Sequence, residues 1–306
     1  MRLHGALQSH APIAKNESST TLGLVKEQSE GVGARVRRSI GTNAVKHIDP
    51  FLMLDEFSVN APAGFPDHPH RGFETVTYML TGSFQHEDFC GHKGVINPGD
   101  LQWMTAGRGI LHCEMPLENS PITAHGLQLW VNLGREFKMT EPKYQELLDR
   151  DIPRATSDDG LVNVKIIAGE SMGIQSPVYT ITPTMYLDFT VKPTGQFTQS
   201  IPNNWNAFCY ILSGSGEFGS KTTKADAHNI LVLSLGNTLQ FKNTSQTSDL
   251  RFVLIAGKPL NEPIVQYGPF VMNTQKEIEQ ALRDFHENRN GFENAAKWRS
   301  KAASAH

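Results

Sequence analysis

The sequence predicts an all-β protein of two related barrels in tandem, with a helix near the C-terminus. Three observations lead there. Short apolar runs broken by Gly, Pro and Asn extend from Leu22 to Gly257, as in sandwiches and barrels. One segment recurs: Thr75-Val76-Thr77-Tyr78-Met79-Leu80-Thr81-Gly82-Ser83 returns as Ala207-Phe208-Cys209-Tyr210-Ile211-Leu212-Ser213-Gly214-Ser215, sharing a Tyr-apolar-Leu-hydroxyl-Gly-Ser core. A helical period replaces the strand pattern only towards the end of the chain.

The elements follow in order. Met1 to Thr21 is polar and aperiodic, and reads as a mobile tail. Arg2 and Lys15 precede its first acidic residue, Glu17, which gives it the charge sign of a weak transit peptide. Leu22–Val25, Gly33–Ile40 and Phe51–Phe57 read as strands. Thr75–Leu80 is rich in β-branched and aromatic residues, and Leu101–Met104 and Gly126–Leu133 continue the pattern. Lys138–Arg150, after Pro142, reads as a short helical or irregular connector. Strands resume at Val162–Ala168, Val178–Thr182 and Met185–Val191. In Thr274–Asn288, Ile278, Leu282 and Phe285 share one helical face, and Thr274 with Glu277 has capping-box spacing. The expected organisation is a tail over 1–21, a metal-binding barrel over 22–140 and a connector over 141–180. A second barrel with the helix spans 181–295, and a frayed end covers 296–306.

Bulk properties narrow the function classes. The 28 basic and 31 acidic residues give a net charge of −3, so direct nucleic-acid binding is not expected. No stretch approaches the roughly 20 apolar residues of a membrane span, and no apolar core of a secretory signal is present. Three widely spaced cysteines, Cys90, Cys113 and Cys209, argue against a disulfide scaffold and for a reducing compartment.

The chemistry is concentrated between Gly64 and Met115. His68 and His70 are separated by one residue, as are His112 and Glu114. On a strand, residues i and i+2 point the same way, so two adjacent strands could aim four donors at one cation. Three imidazoles and a carboxylate with room for further ligands suit Fe(II), Mn(II), Ni(II) or Cu(II) better than a closed zinc site. Glu74, four residues after His70, competes with Glu114 as the carboxylate, and strand parity leaves both open because Gly72 can mark a bulge. Cys113 should point to the opposite face as a small core residue. His86 and His92 read as polar loop side chains flanking a turn, while Asp55 and Glu56 are surface or supporting groups. Gly107-Arg108-Gly109 supplies a tight turn before His112. Some of Phe51, Met53, Phe57, Phe65, Phe73 and Trp103 should line an apolar pocket. In the second copy the first offset carries His68, His70 and Glu74 onto Ser200, Pro202 and Asn206. Matching Gly99 to Gly236 carries His112 and Glu114 onto Asp249 and Arg251. One metal site per chain is therefore expected.

Two long stretches are recognisable as a family signature. Gly64-Phe65-Pro66-Asp67-His68-Pro69-His70-Arg71-Gly72-Phe73-Glu74-Thr75-Val76 and Gly99-Asp100-Leu101-Gln102-Trp103-Met104-Thr105-Ala106-Gly107-Arg108-Gly109-Ile110-Leu111-His112 resemble the pirin family of the cupin superfamily. His86-Glu87-Asp88-Phe89 and Gly268-Pro269-Phe270-Val271-Met272-Asn273-Thr274 extend the match, which spans residues 22–295. The resemblance implies two tandem cupin barrels (double-stranded β-helix, jelly-roll), with Fe(II) in the first and none in the second. It implies His68, His70, His112 and Glu114 as ligands, choosing Glu114 where the general cupin pattern would use Glu74. Two functions of different class are implied. One is quercetin 2,3-dioxygenase activity, in which Glu114 takes the 3-hydroxyl proton of a flavonol that O2 then opens with release of CO. The other is a non-enzymatic, redox-sensitive co-regulator that binds a transcription-regulator protein. A monomer of the cytoplasm and nucleus is the accompanying expectation.

Overall fold

Each half of the chain folds as a seven-stranded sheet facing a four-stranded one, and all the ladders between the strands of these four sheets are antiparallel. The computed structural model describes residues 19–30, 33–118 and 120–304. Most of the expected tail, Met1 to Ser18, lies outside them. In the first half the large sheet runs in the order Lys143–Leu147, Leu101–Thr105, Phe73–Thr81, Ala124–Asn132, Phe51–Val59, Ala34–Ile40 and Gln28–Glu30. Its small sheet runs Phe65–His70, Ile110–Pro116, Phe84–Asp88 and Lys93–Ile96. The second half repeats this order around Asn206–Ser213 and Leu250–Gly257, with Thr238–Asn243 and Gln196–Ser200 in its small sheet.

The halves exchange edge strands, which the sequence reading did not anticipate. Ser19–Leu24 pairs with Asn229–Leu233 of the second barrel. Lys143–Leu147, expected as part of a short helical or irregular connector, is instead an edge strand of the first, paired with Leu101–Thr105. The expected connector over 141–180 also contains Arg154–Thr156 and Val162–Ala168, both strands of the second barrel. Covering an edge removes a row of unpaired backbone groups from solvent, so each exchanged strand also blunts a liability.

The strand Phe73–Thr81 is buried on both faces up to Met79, with Val76 and Tyr78 on one and Thr75, Thr77 and Met79 on the other. Val76 and Tyr78 pack with Trp103 and Leu127 against Tyr186, Phe208, Tyr210 and Ile255 of the second barrel. Two reciprocal hydrogen bonds cross this interface: the Tyr78 hydroxyl donates to Asp188 at 2.7 Å and the Tyr210 hydroxyl to Glu56 at 2.6 Å. Buried phenols need such partners.

The two interiors differ. The second is filled by one apolar cluster that includes Ile201, Leu239, Phe241 and Phe252. Register from the matched turns Gly82 and Gly214 shows why. Phe84 pairs with Pro116 where Gly216 pairs with Asn243, so His112 and Glu114 correspond to Leu239 and Phe241. His68 pairs with His112 as Gln199 pairs with Leu239, and His70 then corresponds to Ile201. The matching of His112 and Glu114 with Asp249 and Arg251 was therefore wrong, because those residues lie beyond the equivalent strand. Likewise, His68 and His70 correspond to Gln199 and Ile201, one residue before the Ser200 and Pro202 matched by sequence. The loss of ligand character is, however, more complete than it suggested.

The C-terminal segment closes the first barrel. Thr274 caps the helix Gln275–His286, accepting from the Glu277 amide while its hydroxyl donates to the Glu277 carboxylate at 2.9 Å. The expected frayed end over 296–306 is ordered to Ser304. Lys301–Ser304 is a short helix whose Lys301 amide donates to Glu87 at 2.8 Å, and Ala302 packs on Cys113 and Met115.

Candidate metal centre

Two adjacent strands of the small sheet bring the histidines together. His112 on Ile110–Pro116 stands directly opposite His68 on Phe65–His70, and Ile110 opposite His70. The ladder then slips, so that Glu114 faces Phe65. Gly72 ends the first ligand strand with φ +89°, and a Cβ there would meet the Val271 carbonyl at 2.0 Å, so no other residue fits. The Lys138 ammonium, buried nearby, donates to the carbonyls of Gly72 and Val271 and to Asn132.

His68, His70 and His112 each offer one nitrogen, all within 4.8 Å of one another, and among the described residues they form the one such group. The His68 Nδ1–H donates to the Pro66 carbonyl at 2.8 Å, which leaves Nε2 with a lone pair. That Nε2 lies 3.0 Å from His112 Nε2. Two nitrogens about 2.1 Å from one ion and at right angles to it stand about 3.0 Å apart. Nδ1 of His70 and of His112 are buried without a hydrogen-bond partner among the described residues. Burial lowers the pKa of His70 and His112 well below the usual imidazole value. It also lowers that of His68, where it outweighs the Pro66 carbonyl and the Glu114 charge. Three neutral, converging imidazoles are a donor set that fits a divalent cation.

Glu114, 2% exposed, lies beside this group and is oriented from the large sheet. The Thr77 hydroxyl donates to its Oε1 at 2.7 Å and the Gln128 amide to its Oε2 at 3.0 Å. Neither Thr77 nor Gln128 was singled out in the sequence. The signal was Thr77's place on the inward face of the repeated strand, where the second copy has Cys209. The His70 ring is held edge-on by Phe73 and Trp130, with centroids 5.1 and 5.3 Å away.

The structure separates the two carboxylates that parity left open. Glu74 shares the face of Val76 and Tyr78 towards the second barrel, opposite Thr77, and accepts from the Thr105 hydroxyl at 2.7 Å. Burial pushes its pKa up to about 7, with the Thr105 bond partly offsetting this. A raised carboxyl pKa stabilises the fold below the unfolded value and loses that contribution as pH rises through the folded one. Glu74→Gln should therefore gain up to about 3 kcal/mol relative to the native chain between pH 4.5 and 7. Urea titrations at several pH values measure it, and a pH-independent difference would contradict the assignment.

Other expectations divide. Cys113 is buried on the far side with Met115 and Ala302, as expected. His86 is not a loop side chain. It is 1% exposed on Phe84–Asp88, opposite Glu114, with Nε2 2.8 Å from Glu146. His92 is exposed and bonds Asp88. A cleft of about 1500 Å3 opens on His68, His70 and Glu114, and Met53, Phe57 and Phe65 line it. Phe51 and Trp103 instead join the inter-barrel core, and Phe73 packs on Leu52 and Val271.

Comparison with known proteins gives the same picture. Residues 33–131 match the family described as Pirin, and residues 186–291 the Pirin C-terminal cupin domain. A pirin-like protein of Solanum lycopersicum is 61% identical over 279 residues, covering 91% of this chain and 94% of that protein. Pirin of Homo sapiens is 56% identical over 281 residues, covering 91% and 95%. The crystal structure of quercetin 2,3-dioxygenase from Acinetobacter baumannii superposes with a TM-score of 0.78 at 31% identity, covering 90% of this chain and 98% of that one. The two family matches fall on the two barrels, the first of which carries the three-histidine centre, and with relatives this similar the chain belongs to the pirin family.

Proposed function

We propose that this protein holds one Fe(II) through His68, His70, His112 and Glu114 and is a quercetin 2,3-dioxygenase. The observation that carries the reading is the pairing of three converging, neutral imidazoles with an oriented carboxylate at the head of a large, partly apolar cleft. The similarity to the Acinetobacter dioxygenase supports it. The cleft takes a planar aromatic flavonol against Met53, Phe57 and Phe65. Glu114, steadied by Thr77 and Gln128, receives the proton of the flavonol 3-hydroxyl as the substrate enters. Iron held by these residues would supply Lewis-acid and redox chemistry for the overall conversion of flavonol and O2 to the ring-opened ester and CO. The apolar walls keep bulk water from the reacting carbons.

The test is incubation of iron-loaded protein with quercetin in air, following flavonol absorbance and CO. Turnover that disappears in His68→Ala and His112→Ala is the expected result. No CO from several flavonols with several metals would overturn the dioxygenase reading. It would leave the redox-sensitive co-regulator as the reading to test by partner capture with reduced and oxidised iron.

A further inference from the structure

One row of polar side chains crosses the inner face of the large sheet. Arg38 pairs with Asp55, Asp55 with Gln128, and Gln128 with Thr77 on successive strands. The inner half of this row, Gln128 and Thr77, is occupied by Glu114. The outer half is not explained by the metal centre. Arg38 donates Nε and Nη2 to the two Asp55 oxygens at 2.9 and 2.7 Å, and Nη2 also lies 3.2 Å from Glu30. Asp55 is only 4% exposed, yet the pair lines the same cleft as His68 and Glu114.

The stereochemistry of the pair defines a ligand edge. Among the described residues the bonds of Arg38 run through Nε and Nη2, which leaves Nη1 to donate, and each Asp55 oxygen retains a lone pair. A fixed donor therefore sits beside fixed acceptors. The guanidinium already stands between two carboxylates, so an added anion meets net negative charge and is disfavoured. A neutral hydroxyl can both accept from Nη1 and donate to a carboxylate, and vicinal hydroxyls can do both at once. Arg38 stands two strands from Gln128, roughly 10 Å across the sheet at about 4.8 Å per strand. A two- or three-ring aromatic anchored at the metal centre spans that gap.

We propose that the Arg38–Asp55 pair is a specificity subsite for hydroxyl groups on the end of the aromatic substrate remote from the metal. The site then selects polyhydroxylated over bare aromatic skeletons. This rests on the flavonol reading above but acts through binding, not turnover. A buried polar pair built to meet hydroxyls is left unmet by an analogue lacking them, so discrimination is strong.

The experiment measures binding of 3-hydroxyflavone, kaempferol and quercetin to the iron-loaded, anaerobic protein by quenching of tryptophan fluorescence. These have zero, one and two hydroxyls on the pendant ring. The native protein should bind quercetin about tenfold to a hundredfold more tightly than 3-hydroxyflavone. Arg38→Gln should remove that preference while leaving 3-hydroxyflavone affinity unchanged. Arg38→Lys, which keeps the charge but not the fork, serves if the glutamine variant does not fold, and should lose most of the preference. Equal affinity for the three ligands in the native protein, equal losses for all three in the variant, or no binding of any, overturns the subsite. Preserved preference without CO release overturns the dioxygenase reading and leaves the subsite standing.

Discussion

His112→Ala should abolish tight metal binding, with a loss of at least about 100-fold in affinity. Removing a group that merely orients a ligand costs about 10- to 100-fold, and His112 offers a donor nitrogen itself. Its Nε2 lies 3.0 Å from that of His68, and the side chain is 1% exposed. The signature in stability separates this from a packing defect. A metal at 100 times its dissociation constant raises folding stability by about 2.7 kcal/mol. The native protein should therefore melt higher with Fe(II) than with chelator, and the variant should melt at one temperature in both. Glu114→Gln should behave like a ligand loss, Thr77→Val should weaken binding tenfold to a hundredfold, and Glu74→Gln should leave it unchanged. Metal analysis of anaerobically purified proteins checks the series. One metal per chain retained by His112→Ala would remove the site from where it is placed here.

That series turns on a choice the sequence left open by parity. The i, i+2 spacing of His68 with His70 and of His112 with Glu114 was enough to place two strand pairs. It could not place Glu74, because Gly72 interrupts the strand with a left-handed residue and resets which face follows. The repeat around Tyr78 and Tyr210 was legible as local pattern, and the two barrels follow from it. Their counterpart residues were not: Leu101 pairs with Tyr78 as Ile230 pairs with Tyr210, so Gly99 corresponds to His228, and a match to Gly236, beyond the equivalent strand, carries His112 too far along the chain. Edge exchange was invisible for a similar reason: Lys143–Leu147 is half-exposed, and its pairing with Leu101–Thr105 is a contact across the chain, not a local period. Long-range polar partners have no sequence signature of this kind, which is why Gln128 and the Arg38–Asp55 pair emerge only from register.

Arg71 is the most consequential of these unseen partners, and Arg71→Met should cost about 3–5 kcal/mol of stability. It directly follows His70, yet its side chain is 1% exposed and ties the C-terminal segment to the turn at Arg108. Nη1 donates to Asp284 at 2.8 Å, Nε to the Arg108 carbonyl at 2.6 Å and Nη2 to the Asn290 carbonyl, with the guanidinium 4.8 Å over the Phe292 ring. Removing this buried cation leaves the Asp284 carboxylate to Asn290, Gln280 and the half-exposed Arg289 guanidinium 3.3 Å away, so its charge is only partly compensated. An uncompensated buried charge is costly, whereas replacing both members by apolar groups is often nearly neutral. Arg71→Met with Asp284→Leu should therefore be more stable than either single variant, the sign expected of a double-mutant cycle on a buried pair. The pH dependence gives an independent check. Burial raises the Asp284 pKa, but Arg71, Asn290 and Gln280 more than offset it, so the carboxyl lies below its usual value. Such a group stabilises above the unfolded pKa and loses that contribution as pH falls through the folded one. The gap between the native protein and Arg71→Met should accordingly be full near neutrality and shrink below about pH 4, where Asp284 becomes neutral. Because Arg71 also pairs its backbone with Pro269 and Val271, loosening this clamp frees the end of the strand that carries His68 and His70. Metal affinity should fall together with stability, and urea denaturation at pH 7 and pH 4, with and without Fe(II), measures both. A single variant within about 1 kcal/mol of the native protein at pH 7 would mean that Asp284 is satisfied without Arg71 and that the clamp does not hold the ligand strand.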